Sequence, residues 1–123
     1  MEVLLDTNFI ISCVNKRIDF LEELSGMGFK VIIPREVIEE MKDLKKEAKV
    51  SRNERASIDL AFEMIEKGKV KKMTLSNRKV DEGLIQKGRE GIYIATLDRA
   101  IKNQIPNRVV INNAKNGLMV DRD

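Results

Sequence analysis

Val3-Leu4-Leu5-Asp6-Thr7-Asn8 is the stretch on which the fold turns. Its apolar residues read as a buried strand over 2–5. An acid, a hydroxyl and an amide close it, and Phe9, Ile10 and Ile11 already belong to a helix over 8–15. In an open α/β sheet, ligands bind in the crevice outside the carboxyl ends of the strands. A carboxylate placed there is costly to desolvate unless a cation meets it. Asp6 is therefore the first candidate for chemistry.

Outward from this stretch, strands and helices alternate. A second helix starts at Arg17 or Asp19, carries Phe20, Leu21 and Leu24, and ends at Gly26 and Gly28. Val31-Ile32-Ile33 reads as a buried strand, and Pro34 opens a helix at the position where its missing N–H costs nothing. Val37, Ile38, Met41 and Leu44 form the apolar stripe of that helix. The charged segment 45–55 reads as a solvated turn or a helix extension. Ile58, Ala61, Phe62 and Ile65 give a helix over 52–67 that ends at Gly68. Residues 70–75 form a weak strand, polar in its centre and so expected at an edge. A helix over 79–88 ends at Gly88, and 92–96 is a clear buried strand. A helix over 98–104 stops at Pro106, 109–111 is a core strand, and 117–120 adds a short edge strand. Such alternation predicts one α/β domain, residues 1–123, with a parallel sheet covered on both faces.

Composition excludes several chemistries. The 123 residues contain no His, so His-based acid–base work, Ser-His triads and imidazole metal sites are ruled out. Cys13 is the only cysteine, which excludes an intrachain disulfide and a thiolate zinc cluster and reads as a small core residue. Apolar residues at 42% and charged residues at 35% describe a globular chain, and the Lys- and Glu-rich balance resembles proteins of heat-loving organisms. The net charge of +3 permits nucleic-acid binding without requiring it. No signal peptide or bilayer-crossing run is legible, so the expected location is cytoplasmic with no membrane partner.

Three further acids join Asp6. With about 100° per residue, Glu40 borders the buried stripe of its helix and Glu39 points to solvent. Asp81 is centred on the face of Leu84 and Ile85, with Glu82 a quarter-turn round. Asp98 follows the strand 92–96. Each has an ordinary role open to it. Asp6 and Asp98 can cap helices, Asp81 can sit in the first turn against the helix dipole, and Glu40 can pair with Lys45 or Lys46. Their joint placement suggests more. Two carboxylates about 4 Å apart repel by about 4 kcal/mol at an effective dielectric of 20, so a cluster persists only when protons or cations neutralise it. Hard oxygen ligands without His or Cys favour Mg²⁺ or Mn²⁺.

These residues carry a resemblance. The chain resembles PIN-domain nucleases over nearly its full length. Leu5-Asp6-Thr7-Asn8 is similar to the family's opening acid with Thr7 and Asn8 supporting it. Pro34 to Met41 resembles the second motif, with its acid at Glu40. Val80 to Ile85 resembles the third, with Asp81, and Ala95-Thr96-Leu97-Asp98 the fourth, with Thr96 and Asp98. The resemblance implies a three-layer α/β/α PIN-like (Rossmann-like) domain with a central parallel sheet. It further implies divalent-metal-dependent hydrolysis of RNA by Asp6, Glu40, Asp81 and Asp98, and a homodimer. Two subgroups fit: VapC-like toxins, whose partner is an antitoxin, and archaeal-type proteins of ribosomal RNA processing, whose partners assemble ribosomes. The run Val37 to Leu44 with its Lys-rich continuation looks more like the second. One departure is that no further acid follows Asp98, where Arg99, Ala100, Ile101 and Lys102 stand.

Arg35, Arg99 and Lys102 are the candidate phosphate contacts, set against the plainer role of solvated surface charges. Four Phe and one Tyr rule out widespread base stacking, which favours backbone recognition. Two other functions remain open at this level. One is a weakly active or inactive RNA-binding scaffold with the same fold. The other is a phosphatase using Asp6 as nucleophile, although no second aspartate stands two residues on.

Overall fold

The computed structural model describes residues 1–122. Its sheet has the strand order β3-β2-β1-β4-β5-β6, with β1 Glu2–Leu5, β2 Lys30–Pro34, β3 Lys71–Met73, β4 Tyr93–Ala95, β5 Asn107–Asn112 and β6 Gly117–Arg122. β1 to β5 pair in parallel. β6 departs from the all-parallel expectation, because it returns antiparallel on β5 through a tight connection. There Asn112 Oδ1 accepts from the amides of Ala114 and Lys115 at 3.1 and 3.4 Å. A hairpin of that length can only join antiparallel strands.

The helices are α1 Thr7–Asn15, α2 Phe20–Gly26, α3 Arg35–Lys46, α4 Arg52–Lys67, α5 Val80–Arg89 and α6 Arg99–Lys102. Strand alternation sorts them into two layers. Val3, Leu5, Ile33, Tyr93 and Ala95 face a large core closed by α1 to α4. Leu4, Ile32 and Ile94 face a smaller core closed by Leu84 of α5, Ile101 of α6 and the following Ile105. This is a three-layer α/β/α arrangement. Cys13 lies in the large core, where burial pushes its thiol up to about 12, with Glu23 adding to the shift. It is a packing residue.

Several sequence boundaries move. α5 runs past Gly88 and turns at Gly91, whose φ is +100°. Gly88 serves a different need, because a Cβ there would stand 2.4 Å from Ile105 Cγ2. The helix expected over 98–104 shortens to four residues, and the segment 70–75 pairs only over 71–73, at the sheet edge as expected. Among the described residues no helix is long and apolar enough to cross a membrane.

The topology fixes where a ligand can enter. From β1 the chain builds outward through β2 to β3, then crosses back to place β4 on the other side of β1. The switch point thus lies between β1 and β4, and the crevice opens at their carboxyl ends.

Candidate active site

β1 and β4 run in register, with Leu5 opposite Ala95. The residues that follow therefore emerge side by side. The Asp6 amide donates to the Ala95 carbonyl at 2.9 Å, and the Thr96 hydroxyl donates to Asp6 Oδ2 at 2.8 Å. Thr96 Oγ1 in turn accepts from the Asp98 amide at 3.0 Å. On the other side, Asp6 Oδ1 accepts from the Thr7 amide at 2.8 Å, capping α1. The Thr7 hydroxyl donates to Glu40 Oε1 at 2.6 Å, a length typical of a charge-assisted O–H···O⁻ bond. Asp98, Thr96, Asp6, Thr7 and Glu40 are linked by one hydrogen-bond chain.

Asp6 is only 6% exposed and Thr96 is fully buried. Burial raises the Asp6 carboxyl above its ordinary value. The Thr96 hydroxyl and Thr7 amide oppose that rise, and the charges of Asp81 and Glu40 add to it. The carboxylate is therefore held where its own charge is unfavourable, which leaves it in want of a cation.

Asp6, Thr7, Asn8, Glu40, Asp81 and Asp98 all line one cavity of about 400 Å³. Neighbouring acids part company here. Glu39 turns away to Lys42 at 3.4 Å, and Glu82 to Lys79 at 3.7 Å. Lys45 pairs with Asp59, so it does not serve Glu40. Among the described residues, none of Asp6, Glu40, Asp81 and Asp98 forms an ion pair. The capping roles are real but do not exhaust the side chains: Asp98 Oδ1 caps α6 through Ala100 at 2.8 Å, leaving its other oxygen uncommitted to the cap.

Two expectations need correction. Periodicity placed Glu40 and Asp81 on inward-biased faces, yet both are exposed on the cavity rim. Val37 and Met41 take the core side of α3, and Glu40, at the border of that stripe, meets the cavity instead. Secondly, the four acids share a cavity but not a coordination sphere. Among the described residues, no group of three or more acidic, His or Cys side chains is gathered closely enough to hold a metal ion. The donors fit Mg²⁺ or Mn²⁺ in kind, being all oxygen. Mg²⁺ is commonly held by one or two carboxylates, waters and substrate phosphates, and Asp6 with one rim acid meets that smaller demand.

A second concavity of about 740 Å³ adjoins the first and shares Glu40, Asp43 and Asp81 with it. Its basic residues are Arg35, Arg78 and Lys79. Arg35 thus stands where a phosphate contact is wanted. Arg99 and Lys102 line neither concavity, and the Lys102 carbonyl accepts from Arg108 Nη1 at 3.2 Å. Among the lining residues that escaped the sequence reading are Asp43, Glu47 and Arg78. Asp43 was accessible in principle, being three residues beyond Glu40 and so on the same helix surface. Arg78 lies in an irregular connection where no periodicity points.

A family model described as a PIN-like domain matches residues 3–112. The chain belongs to the PIN-like domain family. The match begins in β1, ends with β5 and takes in Asp6, Glu40, Asp81 and Asp98, so the antiparallel β6 lies beyond it. PIN domains are generally nucleases and generally use divalent metals. No curated relative matches this PIN-like domain.

Proposed function

We propose that this PIN-like domain is a divalent-metal-dependent endoribonuclease that hydrolyses RNA phosphodiester bonds. The observation that carries the reading is Asp6: buried, hydrogen-bonded on both oxygens, without a cationic partner, and placed at the switch point of the sheet. Asp6 would hold Mg²⁺ or Mn²⁺ together with one rim acid, Asp81 or Glu40, with Asp98 lining the same cavity. When bound, such an ion supplies positive charge against the phosphate oxygens and a water of lowered pKa. The protein's own residues do the rest. Thr96 and Thr7 fix the Asp6 carboxylate, and Arg35, Arg78 and Lys79 draw the phosphate backbone to the acids. The scarcity of aromatic residues supports recognition of backbone and shape over base identity. A role in ribosomal RNA processing is favoured over a toxin role by the Lys-rich continuation of α3. Antitoxin, ribosome-assembly and self-association partners follow from those roles.

The test is cleavage of labelled RNA by purified protein in Mn²⁺. Activity that vanishes in Asp6→Asn while the fold survives supports the reading, and equal cleavage by the variant overturns it. A second reading, an RNA-binding scaffold without turnover, is favoured by the lack of a closed ligand set among the described residues. It requires RNA affinity with no cleavage by the native protein in Mn²⁺ and no thermal stabilisation by the ion.

A further inference from the structure

We infer that the basic edge of the sheet, residues 67–79, is the surface along which the RNA phosphate backbone lies before it reaches the acid cavity. The inference rests on the nuclease reading for its direction, though not for the contact itself.

Lys67, Lys69, Lys71, Lys72, Arg78 and Lys79 fall within thirteen residues that contain no Asp or Glu. All six side chains are exposed. Among the described residues only Lys79 of the six is ion-paired, to Glu82 at 3.7 Å between two well-exposed side chains. The chain's net charge is only +3, so this run of cations is a local concentration of charge and not a property of the whole surface.

The fold gives the run a direction. β3 is the outermost strand and runs parallel to β2, with Met73 opposite Pro34. Its carboxyl end therefore points to the same side of the sheet as Asp6. The connection that follows is pinned to α3, because the Leu75 amide donates to both Glu36 carboxylate oxygens at 3.1 Å. That tether sets the segment from which Arg78 and Lys79 wall the cleft beside Glu40 and Asp81. At the other end, Lys69 borders two grooves, one shared with Lys42, Lys72 and the single acid Glu66, the other with Lys30 and Lys71. The cations thus stand at both ends of the edge strand, with Arg78 and Lys79 at the end beside the acids.

Lysines on an edge strand also guard against edge-to-edge pairing. That accounts for Lys71 and Lys72 but not for Lys67, Lys69, Arg78 and Lys79, which flank the strand. An RNA backbone accounts for the whole set.

The experiment measures anisotropy of a labelled single-stranded RNA oligonucleotide in EDTA, so that no cleavage is needed, across a salt series. The variant is K69Q/K71Q/K72Q, and the control K16Q/R17Q/K115Q removes the same charge from other exposed positions. Thermal melts establish that both fold, and K69R/K71R/K72R keeps the charge. Loss of three phosphate contacts should lower the slope of log affinity against log salt by about 2, at about 0.7 per contact for a single strand. Affinity at low salt should fall at least tenfold, the control should stay near native, and the arginine variant should recover binding. Equal losses in variant and control, no loss in the variant, or no RNA binding by the native chain overturns the inference. Loss of binding in a protein that never cleaves RNA in Mn²⁺ leaves the surface standing and removes the nuclease reading. Cleavage by a protein whose edge variant binds normally does the reverse.

Discussion

The cavity acids are of two kinds. Asp6 and Asp98 stand just past strand ends and are gripped by neighbouring donors: Asp6 by the Thr7 amide and the Thr96 hydroxyl, Asp98 by the Ala100 and Ile101 amides at 2.8 and 3.4 Å. Glu40 and Asp81 ride on helices and are exposed. Glu40 has one hydroxyl contact, from Thr7, and Asp81 reaches Asp6 through charge. One half of the site is fixed and the other adjustable. The absence of a closed ligand set among the described residues then has a physical reason, since four carboxylates brought together without a cation would repel.

The largest effect should follow from breaking the fixed half. Asp6→Asn should remove RNA cleavage beyond the roughly 10–100-fold loss typical of an outer-shell partner. Its fold should be more stable than native at neutral pH. Burial raises the Asp6 pKa in the folded state, so the folded protein binds that proton more tightly than the unfolded chain does. Native stability therefore falls as pH rises from the ordinary aspartate value through the raised one, and the cost persists above it. The Asn variant escapes that cost. Its thermal advantage should be greatest at neutral pH and vanish below the ordinary aspartate pKa, where both forms carry a neutral side chain. Mn²⁺ should raise the melting temperature of the native protein and not that of the variant. A variant that melts lower than native at every pH would show that the charge of Asp6 stabilises the fold.

Next is the link between the two fixed acids. Thr96→Val keeps the shape but strips Asp6 Oδ2 and the Asp98 amide of their shared hydroxyl. A buried polar group left without a partner costs about 1–3 kcal/mol, and each kcal/mol is worth about 4 °C for a domain of this size. Activity should drop about 10–100-fold as well. A melt unchanged by this substitution would mean that the chain of hydrogen bonds does not hold the site.

The fixed half was also the legible half. Asp6 and Thr96 close apolar runs that read as buried strands, so the strand pattern put both at carboxyl ends, while the pairing of β1 with β4 that joins them came from the structure. The helix-borne half was legible only in direction. A 100° wheel separated Glu40 from Glu39 and Asp81 from Glu82, and the ion pairs of Glu39 and Glu82 agree with that separation. The wheel could not say that the inward side of these helices, beside the mouth, faces an open cavity. Arg78 and the antiparallel return of β6 depend on irregular connections and long-range pairing, which leave no period in the sequence. Local spacing likewise put Arg99 and Lys102 beside Asp98. Adjacency in the chain did not bring them into either concavity.

The adjustable half should fail more softly. In Glu40→Gln the Thr7 hydroxyl still finds an acceptor, so stability should stay within about 0.5 kcal/mol of native. Cleavage should fall about tenfold and recover as Mn²⁺ is raised, because the lost charge weakens retention of the ion and leaves Asp6 in place. A loss as deep as that of Asp6→Asn, unrescued at high Mn²⁺, would erase the distinction between fixed and adjustable acids.

The smallest effect on the fold separates capping from charge at Asp98. Asn caps a helix about as well as Asp, whereas Ala costs about 1 kcal/mol. Asp98→Asn should therefore melt with the native protein and Asp98→Ala several degrees lower, since Oδ1 serves the Ala100 and Ile101 amides. If Asp98 matters only as a cap, RNA cleavage should follow the melting order, with Asn near native. If its charge faces the substrate or the ion, Asn and Ala should lose activity alike despite their different stabilities. The second outcome is the one expected of a carboxylate that lines the same cavity as Asp6 and has no cation of its own.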